Sequence, residues 1–206
     1  MNEYNILILS AGRRVELVQS FQRAARKLNI KSNVVAGDCS DIAPAIYFAD
    51  KNYKLPRISE PNYIDSIVDA CNKENIGLII PTIDTDLLLL SEQKQYIESR
   101  TDAIVLISNP EVVKICRDKI NTQRFLEAND FKVPKMYTNA ELEKGVIEFP
   151  LFIKPKSGSS SINTFKVNNE KELNTYMGIT KDPIVQDFME GEEFTVDIFL
   201  DFDSNI

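Results

Sequence analysis

Short apolar runs alternate along this chain with longer stretches in which apolar residues recur every three or four positions. Residues 5–9 form an apolar strand that ends at Ser10-Ala11-Gly12. Over 13–28 apolar residues recur at Val15, Val18, Phe21, Ala25 and Leu28, a helical spacing. A second strand is expected at 32–36, stopped by Gly37-Asp38. Residues 42–49 read as compact and mixed, and 53–55 as a short third strand before Pro56. Ile64, Ile67, Val68 and Cys71 share one face of a helix over 63–74. A strand at 77–80 closes at Pro81-Thr82, a helical stretch begins near Asp84, and 103–107 is a further strand. Alternation of this kind predicts an α/β fold, a parallel sheet with helices on both faces, over residues 1–112.

The pattern then changes. A helix is expected at 119–129, a strand at 135–138 and a helix near 171–177. Between them Leu151-Phe152-Ile153 is a short buried strand closed by Lys154, where a charge is costly unless an anion meets it. Small hydroxyl-bearing residues follow, Ser157 to Ser161 around Gly158, and a strand at 162–167 leads away. A backbone of that composition can approach a ligand closely and offer N–H groups to it. On its own the stretch fits either a polyphosphate cradle or an ordinary hairpin with a solvated lysine. From Ile184 the chain reads as strand, turn at Gly191, strand.

The chain has 206 residues, a formal charge of −7 and no histidine. The acidic balance argues against a nucleic-acid surface. Without histidine, Ser-His-Asp and Cys-His nucleophilic sites and histidine-ligated zinc are excluded. Lysine or arginine charge, positioning and a hard metal ion remain, the means by which phosphoryl transfer is catalysed. Three cysteines, Cys39, Cys71 and Cys116, lack metal spacing and read as reduced core thiols. No apolar run reaches membrane-spanning length and the first residues lack the basic start of a signal peptide, so the expected location is cytoplasmic.

Three stretches carry a family resemblance. They are Arg117-Asp118-Lys119 opening a helix, Lys154-Pro155 before the serine loop, and Gln186-Asp187-Phe188-Met189 leading to Gly191-Glu192-Glu193-Phe194-Thr195-Val196. In this order they resemble the ATP-grasp superfamily. The segments Ser10 to Arg14, Gly37 to Ala45 and Pro81 to Leu87 look like its carbamoyl-phosphate-synthase-like branch. The resemblance implies a Rossmann-like pre-ATP-grasp domain over 1–112, a small ATP-grasp subdomain over 113–183 and an incomplete large subdomain over 184–206. It implies a chain cut before its magnesium ligands, inactive alone.

By the same resemblance, ATP would be bound by Lys119 and Lys154 at the phosphates, and by Gly158, Ser159, Ser160 and Ser161 in the closing loop. Gln186, Asp187, Phe188 and Met189 would follow the adenine edge, and Glu193 would take the ribose, with Glu192 one register step away. Family members commonly carry Glu where Gln186 stands. A substrate site is expected at Gly12, Arg13 and Arg14 with Thr82 and Asp84, because open parallel sheets bind ligands at the carboxyl ends of their strands. The alternative for these residues is two surface arginines and an aspartate N-cap.

The function this implies is an ATP-dependent carboxylate–amine ligase working through an acyl phosphate, with ATP and Mg2+ as cofactors. Its partners would be small-molecule carboxylate and amine substrates, with no nucleic acid and no membrane; a homodimer stays open. The competing readings are a non-catalytic nucleotide-binding or assembly module and, third, a dinucleotide oxidoreductase. The last is prompted by the opening strand–glycine–helix unit and Asp38, but G-x-G-x-x-G is reduced to one glycine.

Overall fold

The computed structural model describes residues 4–158, 161–201, 203 and 205. The chain packs as two units, residues 1–121 and 122–206.

The first unit is built on five parallel strands: β1 (Asn5–Leu9), β2 (Val34–Asp38), β3 (Lys51–Lys54), β4 (Ile76–Ile80) and β5 (Ile104–Val105). Their order is β3-β2-β1-β4-β5. β1 sits at the centre, so both of its faces are covered and its run is almost continuously apolar. Successive side chains point to opposite faces. Leu7 and Leu9 enter a core with Ile67, Cys71, Leu90 and Ile97, supplied by α2 (Tyr63–Glu74) and α3 (Asp84–Glu98). Ile8 enters a second core with Val18 of α1 (Val15–Lys27) and Ala45 of a 3₁₀ turn, Pro44–Tyr47. Gly37 is small for a reason. A Cβ there would stand 2.7 Å from Leu55 Cδ1, below any ordinary contact.

The chain winds from β1 outward through β2 to β3, then crosses back to β4 beside β1. The carboxyl ends of β1 and β4 therefore flank the point where the winding reverses, the usual ligand position in such sheets. After β5 comes α4 (Pro110–Arg117), capped by Asn109 Oδ1, which accepts from Val112 N at 2.9 Å.

α5 (Lys119–Ala128) leads into the second unit. Its four-stranded antiparallel sheet contains β6 (Met136–Tyr137), β7 (Leu151–Pro155), β8 (Phe165–Val167) and β9 (Pro183–Asp187), in the order β6-β9-β7-β8. Leu151, Ile153, Val167 and Val185 face one way and are covered by Leu173 of α7 (Glu170–Ile179). Tyr176 stacks on Phe165 with 4.1 Å between ring centroids. The short α6 (Asn139–Glu143) forms on a capping box, with Thr138 Oγ1 accepting from Glu141 N and Glu141 accepting from Thr138 N.

Two expectations fail. The second strand expected after Gly191 is not formed: residues 190–200 are exposed and have no regular structure. Phe194, Val196 and Ile198 do alternate, but among the described residues no strand lies beside them, and alternation without a neighbour leaves ladder groups unpaired. The core-thiol reading holds for Cys71 and fails for Cys39 and Cys116, both exposed. Cys39 lies in the loop after β2, and on α4 the residue turned inward is Val113.

Candidate functional site

In the second unit, paired residues of neighbouring strands share a face. Lys166 of β8 pairs with Phe152 of β7, which pairs with Gln186 of β9, which pairs with Met136 of β6. This row lies opposite the Leu151–Ile153–Val185 core. Lys154, two residues beyond Phe152, joins the same face, with its Nζ 5.8 Å from the Phe152 ring. Lys166 Nζ lies 4.1 Å from the ring of Phe188, and Phe188 is tilted against Phe152 at 6.3 Å. A cleft of about 540 Å³ opens here, lined by Phe152 and residues 186–193.

Gln186, Asp187, Phe188, Met189, Glu192 and Glu193 thus border one cleft. Gln186 is 8% exposed. Asp187 turns its carboxylate to the other face, where Oδ1 accepts from the Tyr137 hydroxyl at 2.6 Å. That bond pushes the Tyr137 phenol up to about 12. Asp187 N donates to Lys135 O and Phe188 N to Pro150 O, which anchors the start of the segment to the sheet. Beyond β7, Gly158 stands at φ +121° and Ser161 at +53°, both exposed. Ser159 and Ser160 lie outside the described residues.

Lys119 is the first residue of α5 and groups with the first unit. Asp118 before it caps the helix, its Oδ1 accepting from Ile120 N at 2.9 Å and Asn121 N at 3.2 Å. Lys166 is a cation that sequence reasoning missed. Its signal was the alternation Phe165-Lys166-Val167, which turns one polar residue away from the core.

In the first unit, Gly12 and Thr82 leave adjacent strands on one edge. Thr82 Oγ1 lies 2.8 Å from Leu9 O and 2.9 Å from Ser10 O, to which it can donate. The two arginines divide. Arg14 spends its guanidinium on carbonyls, donating from Nη2 to Thr82 O at 2.7 Å and from Nη1 to Ser10 O at 3.3 Å. Arg13 is exposed at the loop tip. Most amides at the start of α1 are also spent: Gly12 N on Asp38 Oδ2, Arg14 N on Ala11 O and Val15 N on Arg13 O. Asp38, with Oδ1 taken by Ser40 N, is therefore committed to the loop, contrary to the ribose role in the dinucleotide reading.

Asp84 is exposed at the first position of α3, and the N-cap is Ile83, which has no side-chain cap. Asp86 is the enclosed carboxylate, 1% exposed, on the face of α3 that carries Leu90 and Ile97. Its Oδ2 accepts from Ser10 Oγ at 2.5 Å and from the Tyr63 hydroxyl at 3.5 Å. Burial raises its pKa, opposed by the hydrogen bonds of Ser10 and Tyr63 and by the charge of Arg14. Burial also pushes the Cys71 thiol up to about 12, so it is inert. Among the described residues no helix is long and apolar enough to cross a membrane. Nor do three or more acidic or cysteine side chains gather as a metal site among them.

Residues 6–105 match the family described as PylC-like, N-terminal domain, and residues 116–205 match the ATP-grasp domain. The carbamoyl-phosphate synthase of Methanobrevibacter smithii is 23% identical over 143 residues, 67% of this chain and 39% of that protein. The D-alanine–D-alanine ligase B of Clostridium perfringens is 33% identical over 95 residues, 41% of this chain and 32% of that protein. Among solved structures, the L-amino acid ligase of Bacillus licheniformis superposes with a TM-score of 0.66 at 19% identity, covering 91% of this chain and 45% of that one. The N5-carboxyaminoimidazole synthetase of Staphylococcus aureus, complexed with ADP, gives 0.65 at 14% identity, covering 90% and 48%. At such identities the structural likeness shows the fold alone. This chain spans less than half the length of each of these four relatives. The two family matches together run from residue 6 to residue 205, and the chain belongs to the ATP-grasp superfamily, with a PylC-like N-terminal domain.

Proposed function

We propose that this protein serves an ATP-dependent carboxylate–amine ligase, in which ATP phosphorylates a carboxylate and an amine displaces the phosphate. The observation that carries the reading is the register of β7, β8 and β9. It puts Lys154, Lys166, Phe152 and Gln186 on one sheet face bordering the cleft lined by residues 186–193. Phe152 and Phe188 supply apolar surface for a flat base, and the main chain of 187–189 supplies hydrogen-bonding groups along its edge. Lys154 is a compact charge able to follow a phosphate, and Lys119 is its proposed counterpart at the start of α5. Gly158 and Ser161 flank the loop proposed to close over the phosphates, and Glu193 or Glu192 is offered to ribose hydroxyls.

Magnesium, when bound in such ligases, shields phosphate charge. No residue of this chain is assigned to it, since no candidate cluster stands among the described residues. Arg13, exposed beside Gly12 and Thr82, is proposed to meet the carboxylate substrate, while Arg14 fixes the loop through Thr82 O. Asp84, exposed on the same edge, is offered to the amine.

The test is an NMR titration of the 206-residue chain with ATP and, separately, adenosine. Shifts should centre on residues 152 and 186–189, with a dissociation constant of roughly 0.1–10 mM. Lys154→Ala should weaken ATP binding and leave adenosine binding unchanged. Shifts at residues 10–14 in place of the cleft, or ATP binding unchanged in Lys154→Ala, would overturn the reading.

A further inference from the structure

Ser10 is the pivot of the loop between β1 and α1. It stands at φ +49°, a left-handed conformation that residues with a side chain rarely adopt. Its carbonyl oxygen is within reach of the Thr82 hydroxyl and accepts from the Arg14 guanidinium. Its hydroxyl donates to Asp86 Oδ2 at 2.5 Å. Asp86 is an expensive residue at its position. It is 1% exposed on the face of α3 that elsewhere carries Leu90 and Ile97, and its Oδ1 is buried without a hydrogen-bond partner. An apolar side chain there would avoid that cost. What the carboxyl group supplies in return is the grip on Ser10, with Tyr63 of α2 leaning on the same oxygen at 3.5 Å.

We propose that Asp86 is the positioning residue of the β1–α1 loop, holding Ser10 left-handed and so fixing Gly12 and Arg13 at the carboxyl edge of the sheet. The connection is short. Ser10 directs the chain so that Ala11 N reaches Gly37 O at 3.1 Å and Gly12 N reaches Asp38 Oδ2 at 2.8 Å. Those two amides report on the loop directly. The inference deepens the assignment of this edge to the second substrate, and rests on that assignment only for what Arg13 meets.

Amide hydrogen exchange of the whole chain, without nucleotide or substrate, tests it. Asp86→Leu keeps the forked shape, with somewhat more bulk, and removes the acceptor. Exchange at Ala11, Gly12 and Arg14 should quicken about tenfold relative to Leu7 and Ile79 in the strands, the loss expected for one buried hydrogen bond. Ser10→Ala, which leaves the core untouched, should quicken the same amides and carries the test if Asp86→Leu does not fold. Ser10→Gly should leave them as in the wild type, because glycine adopts positive φ without a clamp. Asp86→Leu combined with Ser10→Gly should likewise restore them. Loop amides unchanged in Ser10→Ala, an equal rise in loop and strand amides in Asp86→Leu, or a double variant as fast as Asp86→Leu, would overturn the proposal. Because no ligand is present, failure here is separate from failure of the nucleotide titration.

Discussion

Leu151 and Lys154 lie three positions apart on one strand and so point to opposite faces, and alanine should act differently at each. Leu151 is fully enclosed against Val167, Val185 and Leu173. Leu151→Ala should cost about 2–5 kcal/mol, read as a lower urea midpoint for the second unit. Lys154→Ala removes a half-buried cation from the cleft face and should shift stability by no more than about 0.5 kcal/mol. Lys166 gives a graded case. Its ammonium sits over Phe188 on the cleft face, and Lys166→Gln should weaken ATP binding by about two- to five-fold while leaving adenosine unchanged, the size of one exposed ion pair to a phosphate. Equal ATP titrations for wild type and Lys166→Gln would remove that residue from the site.

At the scale of elements, α6 is five residues long and depends on its cap. Hydrogen bonds from the Thr138 backbone and hydroxyl, with Lys135 beside them, lower the Glu141 carboxyl from 4.5 to about 2. A carboxyl depressed by folding stabilises the fold above its unfolded pKa, and that contribution fades as pH falls through the folded value. The amides of 139–143 should therefore lose protection between about pH 4.5 and pH 2, and Glu141→Gln should flatten that dependence. Both are read by exchange or chemical shift. The same element shows why parts of the fold were hidden in the sequence. The central strands were legible because Leu7, Ile8 and Leu9 are buried on two faces and read as a continuous run. α4 and α6 rest on Asn109 and on the Thr138–Glu141 pair, local hydrogen bonds that leave little apolar period. The alternation of Phe194 and Val196 misled for the opposite reason, since a strand needs a neighbour that the pattern cannot supply. In the sites, Lys154 could be named from its strand end. Lys166 needed the β7–β8 register, and the enclosure of Asp86 needed the face on which α3 packs.

Taken whole, the molecule is uneven in stability. Among the described residues the first unit has cores on both faces of its sheet, whereas the second has one, covered by α7 with Leu142 of α6, Ile147 and Phe149. The second unit should lose structure first on heating, with the Ile153 and Val185 amides exchanging before those of Leu7 and Ile79; the reverse order would contradict this. Its strand order also has a consequence for how the protein is made. Of the four strands described in this sheet β9 leaves the ribosome last, yet it lies between β6 and β7. Until it arrives, β6 has no partner and β7 holds only β8. At about 5–20 residues per second, the interval between Pro155 and Asp187 is roughly 2–6 s. Through that interval the Leu151–Ile153 edge is bare, open to a chaperone or to another nascent chain. The parallel sheet of the first unit, complete at Val105, can close well before. The adenine edge proposed here is thus tied to the keystone of the sheet: the strand that completes these four also carries its chain into the cleft, so no half-built intermediate can offer a nucleotide a finished place to bind.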